Sequence, residues 1–141
     1  MKELVTLSHV LLIGATVMLV PSSAAPAAPG CRAGAKAMVR VDLYFGAGLK
    51  DGAMIDDAAW RAFLAEEITP RFPEGLTVTT GEGQWREKSG AILKETSRVV
   101  TIWYRASSTA SARVDAIRTA YKVRFKQASV LRADSAGCVA F

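Results

Sequence analysis

Glu67 is the residue whose type and place could do chemistry. On a helical wheel it stands between Phe63 and Ile68, inside the apolar face made by Trp60, Phe63, Leu64 and Ile68. It also falls near the C-terminus of that helix, where the macrodipole opposes a negative charge. Both settings penalise the charged carboxylate, which is the condition for a general acid or base. Arg71 or Arg86 could then hold an anionic substrate, with Tyr44 as proton donor. The competing reading is structural: a Glu67 ion pair to Arg71 or Arg86 that ties a corner of the chain to its sheet. Gln84, Trp85 and Arg40 are the other polar and aromatic residues placed to bind a ligand, and Glu66 points to solvent.

What the chain lacks narrows the chemistry. The one histidine, His9, lies in the N-terminal apolar segment. A mature chain without that segment cannot build a Ser-His-Asp or Cys-His pair, and it has no histidine for zinc, copper or iron. No metal and no cofactor are expected. Gly46, Gly48 and Gly52 do not match a phosphate-cradling loop, since no Lys-Ser/Thr follows. The two cysteines, Cys31 and Cys138, read as a disulfide if the protein is exported, and a disulfide removes thiol chemistry.

Export is the expectation from the first residues. Lys2 gives a positive start, Val10 to Val20 an apolar core, and Pro21-Ser22-Ser23-Ala24 a small-residue cleavage site. The layout is a signal peptide over 1–24, a Pro/Ala-rich linker and lead-in over 25–37, and one α+β domain over 38–141. Leu4 to Val20 is short for a span, so no stable membrane anchor is expected after cleavage. Gly30-Cys31 leaves a lipoprotein as a minor alternative. The destination is the periplasm or the exterior of a bacterium. Formal charge is 18 − 13 = +5, and removing Lys2 and Glu3 together leaves it unchanged. That balance favours anionic partners only in a general way. No dense Lys/Arg run is present, so no nucleic acid is expected.

The elements that must position these residues follow from periodicity. Met38 to Phe45 alternates as a strand with Val39, Val41, Leu43 and Phe45 on one face and Arg40, Asp42 and Tyr44 on the other. Asp56 caps a helix, with Ile55 and Trp60 at staple spacing, and Pro70 and Pro73 end it. Leu76 to Thr80 is a strand, Gly81 and Gly83 suggest a bulge or a close approach, and Gln84-Trp85-Arg86 resumes it. Glu87-Lys88-Ser89-Gly90 turns into Ala91 to Arg105, a central strand. Ser107 to Ser111 caps a second helix with Ala110, Val114, Ile117, Tyr121 and Phe125 buried. Its cationic remainder could touch anionic lipid but reads more simply as a solvated face. A last strand is formed by Ser129 to Ala133 and Gly137 to Phe141, bent or interrupted at Asp134-Ser135.

The order β-α-β-β-α-β predicts a ferredoxin-like split βαβ sandwich: a four-stranded antiparallel sheet with two helices on one face. The first and last strands are then neighbours, which brings Cys31 to Cys138. The other face would show Arg40, Asp42 and Tyr44, with Arg86, Trp85 or Trp103 beside them. It could be ordinary surface, a homodimer interface, or a ligand platform.

Several blocks together are similar to one family. Tyr44-Phe45-Gly46, Trp60 with Phe63, Ile68-Thr69-Pro70-Arg71-Phe72-Pro73, Gly75-Leu76-Thr77-Val78, Gly83-Gln84-Trp85 and Glu95-Thr96-Ser97-Arg98 resemble the small exported bacterial proteins grouped as domain of unknown function 3574. The tail blocks Ser129-Val130-Leu131-Arg132 and Cys138-Val139-Ala140-Phe141 fit as well. The resemblance implies bacterial export and one compact domain, and it brings no catalytic residues. The expected function is a non-enzymatic module that binds a ligand or protein of the cell envelope. The alternative is a small enzyme that uses Glu67.

Overall fold

The computed structural model describes residues 30–49, 51–86 and 89–141. The leader expected over 1–24, the linker to residue 29, and Glu87-Lys88 of the hairpin turn lie outside the described residues. The chain runs β1 (Lys36–Gly46), α1 (Asp57–Phe63), a π turn (Leu64–Ile68), a 3₁₀ turn (Thr69–Arg71), β2 (Thr77–Arg86), β3 (Ile92–Tyr104), α2 (Ser108–Phe125) and β4 (Leu131–Val139). The sheet is antiparallel with order β2-β3-β1-β4. This is the ferredoxin-like arrangement that the element order predicts.

Alternation in β1 decides which face is covered. Val41, Leu43 and Phe45 are buried against the helices, while Arg40, Asp42 and Tyr44 face the open side. In β3 the buried phase is Arg98, Val100, Ile102 and Tyr104. The helices complete the core with Trp60, Phe63, Ile68, Ala110, Val114, Ile117 and Tyr121. At its centre Phe45 meets Tyr121 at 4.7 Å, Trp60 at 5.3 Å and Phe63 at 6.0 Å between ring centroids. Such tilted and edge-on pairs add to plain area burial.

Capping follows the sequence. Asp56 accepts from Ala59 N–H at 2.7 Å, and Ile55 before it is buried. Ser107 accepts from Ala110 N–H at 3.0 Å and starts α2. Lys126 in the left-handed region (φ 53°) ends it. Cys31 and Cys138 form a disulfide with 5.5 Å between their Cα atoms. The register explains why: Ala37 pairs with Cys138, so the chain entering β1 passes beside the end of β4.

Three expectations need correction. β2 pairs with β3 residue for residue from Thr77 to Arg86, so Gly81 and Gly83 make no bulge. β4 is not interrupted at Asp134-Ser135, because Asp134 holds Arg132, two residues before it on the same face, at 2.8–2.9 Å and keeps the strand extended. Strand alternation also puts Arg86 with Gln84 on the helix side of the ribbon, opposite Trp85.

Candidate functional site

The first helix does not continue as an α-helix to its proline. Thr69 N–H bonds to Leu64 C=O, five residues back, so the last turn is wound wide. Phe63 and Ile68, five apart, then share the buried side. Glu67 is carried from the apolar face to its rim, where its side chain is 29% exposed and pairs with Arg71 at 2.8 Å. Arg71 is fixed in turn: its carbonyl accepts from Arg113 at 3.1 Å, and Arg113 lies over the Phe72 ring. Arg86 is at the other end of β2, nine residues from Thr77, or ~30 Å along a strand. The structure therefore brings Glu67 together with Arg71 and not with Arg86, Gln84 or Tyr44.

Glu67→Gln should keep the fold and lose only about 0.5 kcal/mol, the usual worth of a half-exposed i,i+4 pair. Urea unfolding measures this loss. A loss above 2 kcal/mol would mean that the carboxylate holds more than Arg71.

On the open face, Arg40 bonds Asp42 at 2.9 Å, and Asp42 also accepts from Thr101. Tyr44 is 38% exposed and Trp85 50% exposed on this face. Trp103 reaches over Gly137 of β4, where a Cβ would come within 2.9 Å of its ring. The face is a tiled surface of short local pairs, with Tyr44 on the interior strand β1 and Trp85 on the edge strand β2.

A larger concave feature lies elsewhere. β1 pairs with β3 only as far as Gly46 opposite Ser97, while the β2–β3 ribbon continues past it. Beside this ribbon the 47–54 loop folds back on itself through a Gly48–Met54 bridge. Between them is an open groove of about 640 Å³ lined by Met54, Glu82, Gly83, Gln84, Lys94, Glu95 and Thr96. Of the residues expected to bind a ligand, only Gln84 is here.

Glu95 is the groove's best-fixed charge. Its carboxylate accepts from Gly48 N–H at 3.1 Å. It can do so because Gly46 has no side chain: a Cβ there would sit 2.5 Å from the carboxylate. The loop is held from beneath as well. Tyr121 donates to Gly46 C=O at 2.9 Å and Gln127 to Gly48 C=O at 2.7 Å.

Arg98, two residues beyond Thr96 on the same face of β3, is 6% exposed. It donates to Ile55 C=O at 3.2 Å and to Asp57 at 2.9 Å, and its guanidinium lies 5.3 Å from the Trp60 ring centroid. Among the described residues its Nη1 is buried without a hydrogen-bond partner. Arg98 thus ties the start of α1 to the central sheet and fixes one end of the groove-forming loop.

Burial pushes the Tyr121 hydroxyl above the usual tyrosine range; Arg98 opposes this and Glu95 adds to it. The folded state keeps the proton that the unfolded chain gives up near pH ~10. Stability from this group is therefore present below about pH 10 and falls as pH rises beyond it. Tyr121→Phe should cost about 1 kcal/mol at pH 7, from the lost bond to Gly46, and flatten the alkaline decline. Urea midpoints at pH 7 and above pH 10 check both parts. An unchanged alkaline slope would assign the decline to another group; Tyr104, also raised chiefly by burial, is the next candidate.

Sequence reasoning missed Arg98, Glu95, Lys94, Thr96 and Met54. Arg98 carried the same signal as Glu67, a charge in the buried phase of its element. Glu95 was signalled only by glycines opposite it, which become informative once pairing puts Gly83 across from Glu95. Among the described residues no group of three or more His, Cys, Asp or Glu is placed to hold a metal ion, and no helix is long and apolar enough to cross a membrane.

Comparison with known proteins gives a family and a fold. The model of the family described as "Protein of unknown function (DUF3574)" matches residues 40–141. No curated protein matches the sequence. Among solved structures, a phage SAM lyase in complex with S-methyl-5'-thioadenosine has 14% identity and a TM-score of 0.58, covering 79% of this chain and 94% of its own. CutA from Synechococcus elongatus has 12% identity and a TM-score of 0.50, covering 75% of this chain and 83% of its own. At these identities the likeness is one of fold.

Proposed function

The chain belongs to the DUF3574 family, and from that premise we propose that it is an exported, non-enzymatic module that binds a small polar ligand in the groove beneath the β2–β3 ribbon. The observation that carries this reading is the groove itself, about 640 Å³ with hydrogen-bonding side chains on two rigid strands. Glu82 and Lys94 stand on the helix side of the ribbon, and Glu95, held at Gly48 N–H, comes from its other side. Two carboxylates and one ammonium thus border the groove, which favours a ligand with a positive group and hydrogen-bond donors. The pairing of Glu67 with Arg71 supports binding over catalysis at the corner. The three-part leader over 1–24, the linker from residue 25 and the disulfide together support export of the 38–141 domain as a periplasmic or secreted protein. A Cys31 sulfur joined to Cys138 has no thiol left for a lipid thioether.

The test is a thermal-shift panel on the mature oxidised protein. It compares spermidine and arginine methyl ester with citrate and inorganic phosphate. The amines should raise Tm for the unmodified protein and not for Glu95→Gln. Stabilisation by the anions alone, or by amines equally in Glu95→Gln, would remove the groove as the seat.

A further inference from the structure

The sheet has two edges, and they are treated differently. β4 turns Arg132 and Asp134 toward the helices, where Arg132 bonds Asp115, Asp134, Ser111 and Tyr104, and its far end is held by the disulfide. Inward charges and a fixed end are the usual protection of an edge strand. β2 also has charges on its helix side, Glu82 and Arg86, but both are exposed where the ribbon outruns β1, and no disulfide fixes its end. Its ten residues run in continuous register with β3, without proline or bulge, and its outward backbone groups face no other strand among the described residues. The same ribbon outruns β1 and exposes Trp85, Ile92 and Leu93 at 50%, 51% and 41%.

The edge is also complementary to itself. Glu82 and Arg86 share one face of β2, four residues apart, and among the described residues neither has an ion-pair partner in its own chain. An antiparallel strand pair with its two-fold axis at Gln84 sets Glu82 opposite Arg86 of a second copy, twice by symmetry. It also sets Trp85 opposite Gly83, which leaves room for the indole. Cross-strand pairs of opposite charge and isologous symmetry both favour this register. We infer that β2 pairs edge to edge with β2 of a second copy of this chain, extending the sheet through a two-fold axis at Gln84. The inference does not rest on the ligand reading: the two share Glu82 and Gln84, but the pairing is argued from the strand edge and its single-variant test turns on Arg86, which does not line the groove. It also differs from stacking through the open sheet face, which needs Tyr44 and Trp103 and leaves the strand edges bare.

Sedimentation equilibrium on the oxidised mature protein tests this by charge exchange. The unmodified protein should dimerise. Arg86→Glu, which sets Glu against Glu, should weaken the dimer at least tenfold. The double exchange Glu82→Arg/Arg86→Glu restores opposite charges in the same register and should recover most of the affinity. Circular dichroism confirms that each variant is folded. A monomeric unmodified protein, a dimer indifferent to Arg86→Glu, or a double variant as weak as the single would each overturn the proposal.

Discussion

Replacing both cysteines, Cys31→Ser with Cys138→Ser, is expected to lower the unfolding free energy by about 4 kcal/mol and the melting temperature by roughly 20 °C. The cysteines are 107 residues apart, so the bond closes a loop that spans nearly the whole domain. In the chain-entropy view a loop of ~100 residues restricts the unfolded state by ~4.7 kcal/mol, and measured effects usually fall below that. The folded state adds a local reason. β4 is an edge strand paired only with β1, and the disulfide fixes its last turn of register where Ala37 meets Cys138. Thermal unfolding of the double variant, with the unmodified protein under reductant as a second arm, makes the measurement. A drop of less than 5 °C in both arms would show that the ladder alone holds β4.

The second large effect is in the aromatic centre. Phe45→Ala should destabilise by about 4 kcal/mol, since it removes a fully buried ring and leaves a cavity that its neighbours close only in part. The surrounding rings, Trp60, Phe63 and Tyr121, come from both helices and each lies within 6.0 Å of the Phe45 centroid. Tyr121 and the residue after Phe45 also hold the groove loop, through the bond to Gly46 C=O. The variant should therefore lose loop order along with stability, seen as faster amide exchange over residues 47–54. Phe45→Leu, which fills most of the volume, should recover at least half of the loss in urea unfolding. Equal losses for Ala and Leu would mean that ring geometry, not volume, decides.

Much of the fold was legible in the sequence because its signals are local. The alternation of Val41, Leu43 and Phe45, the Asp56 and Ser107 caps and the stripe through Val114, Ile117 and Tyr121 each state their partner face directly. The order of elements then set the topology, and topology brought Cys31 to Cys138. Glu67 was misplaced for a physical reason: a wheel of 3.6 residues per turn cannot foresee a π turn, which widens the step and moves Glu67 to the rim. The groove was not legible because it exists between a ribbon and a loop that meet only in three dimensions. Glu95 and Gly48 are 47 positions apart in the chain. Arg98 could have been flagged, and its neighbours Ile55 and Asp57 could not.

The reading as an exported, disulfide-closed binding module is tested most directly by native mass spectrometry of the protein purified from an oxidising compartment without added ligand. The predicted result is a chain beginning at Ala25, two hydrogens lighter than its reduced mass, that carries a small basic adduct lost in Glu95→Gln. An intact chain of 141 residues beginning at Met1 with two free thiols, or a processed chain that retains no adduct, would contradict it.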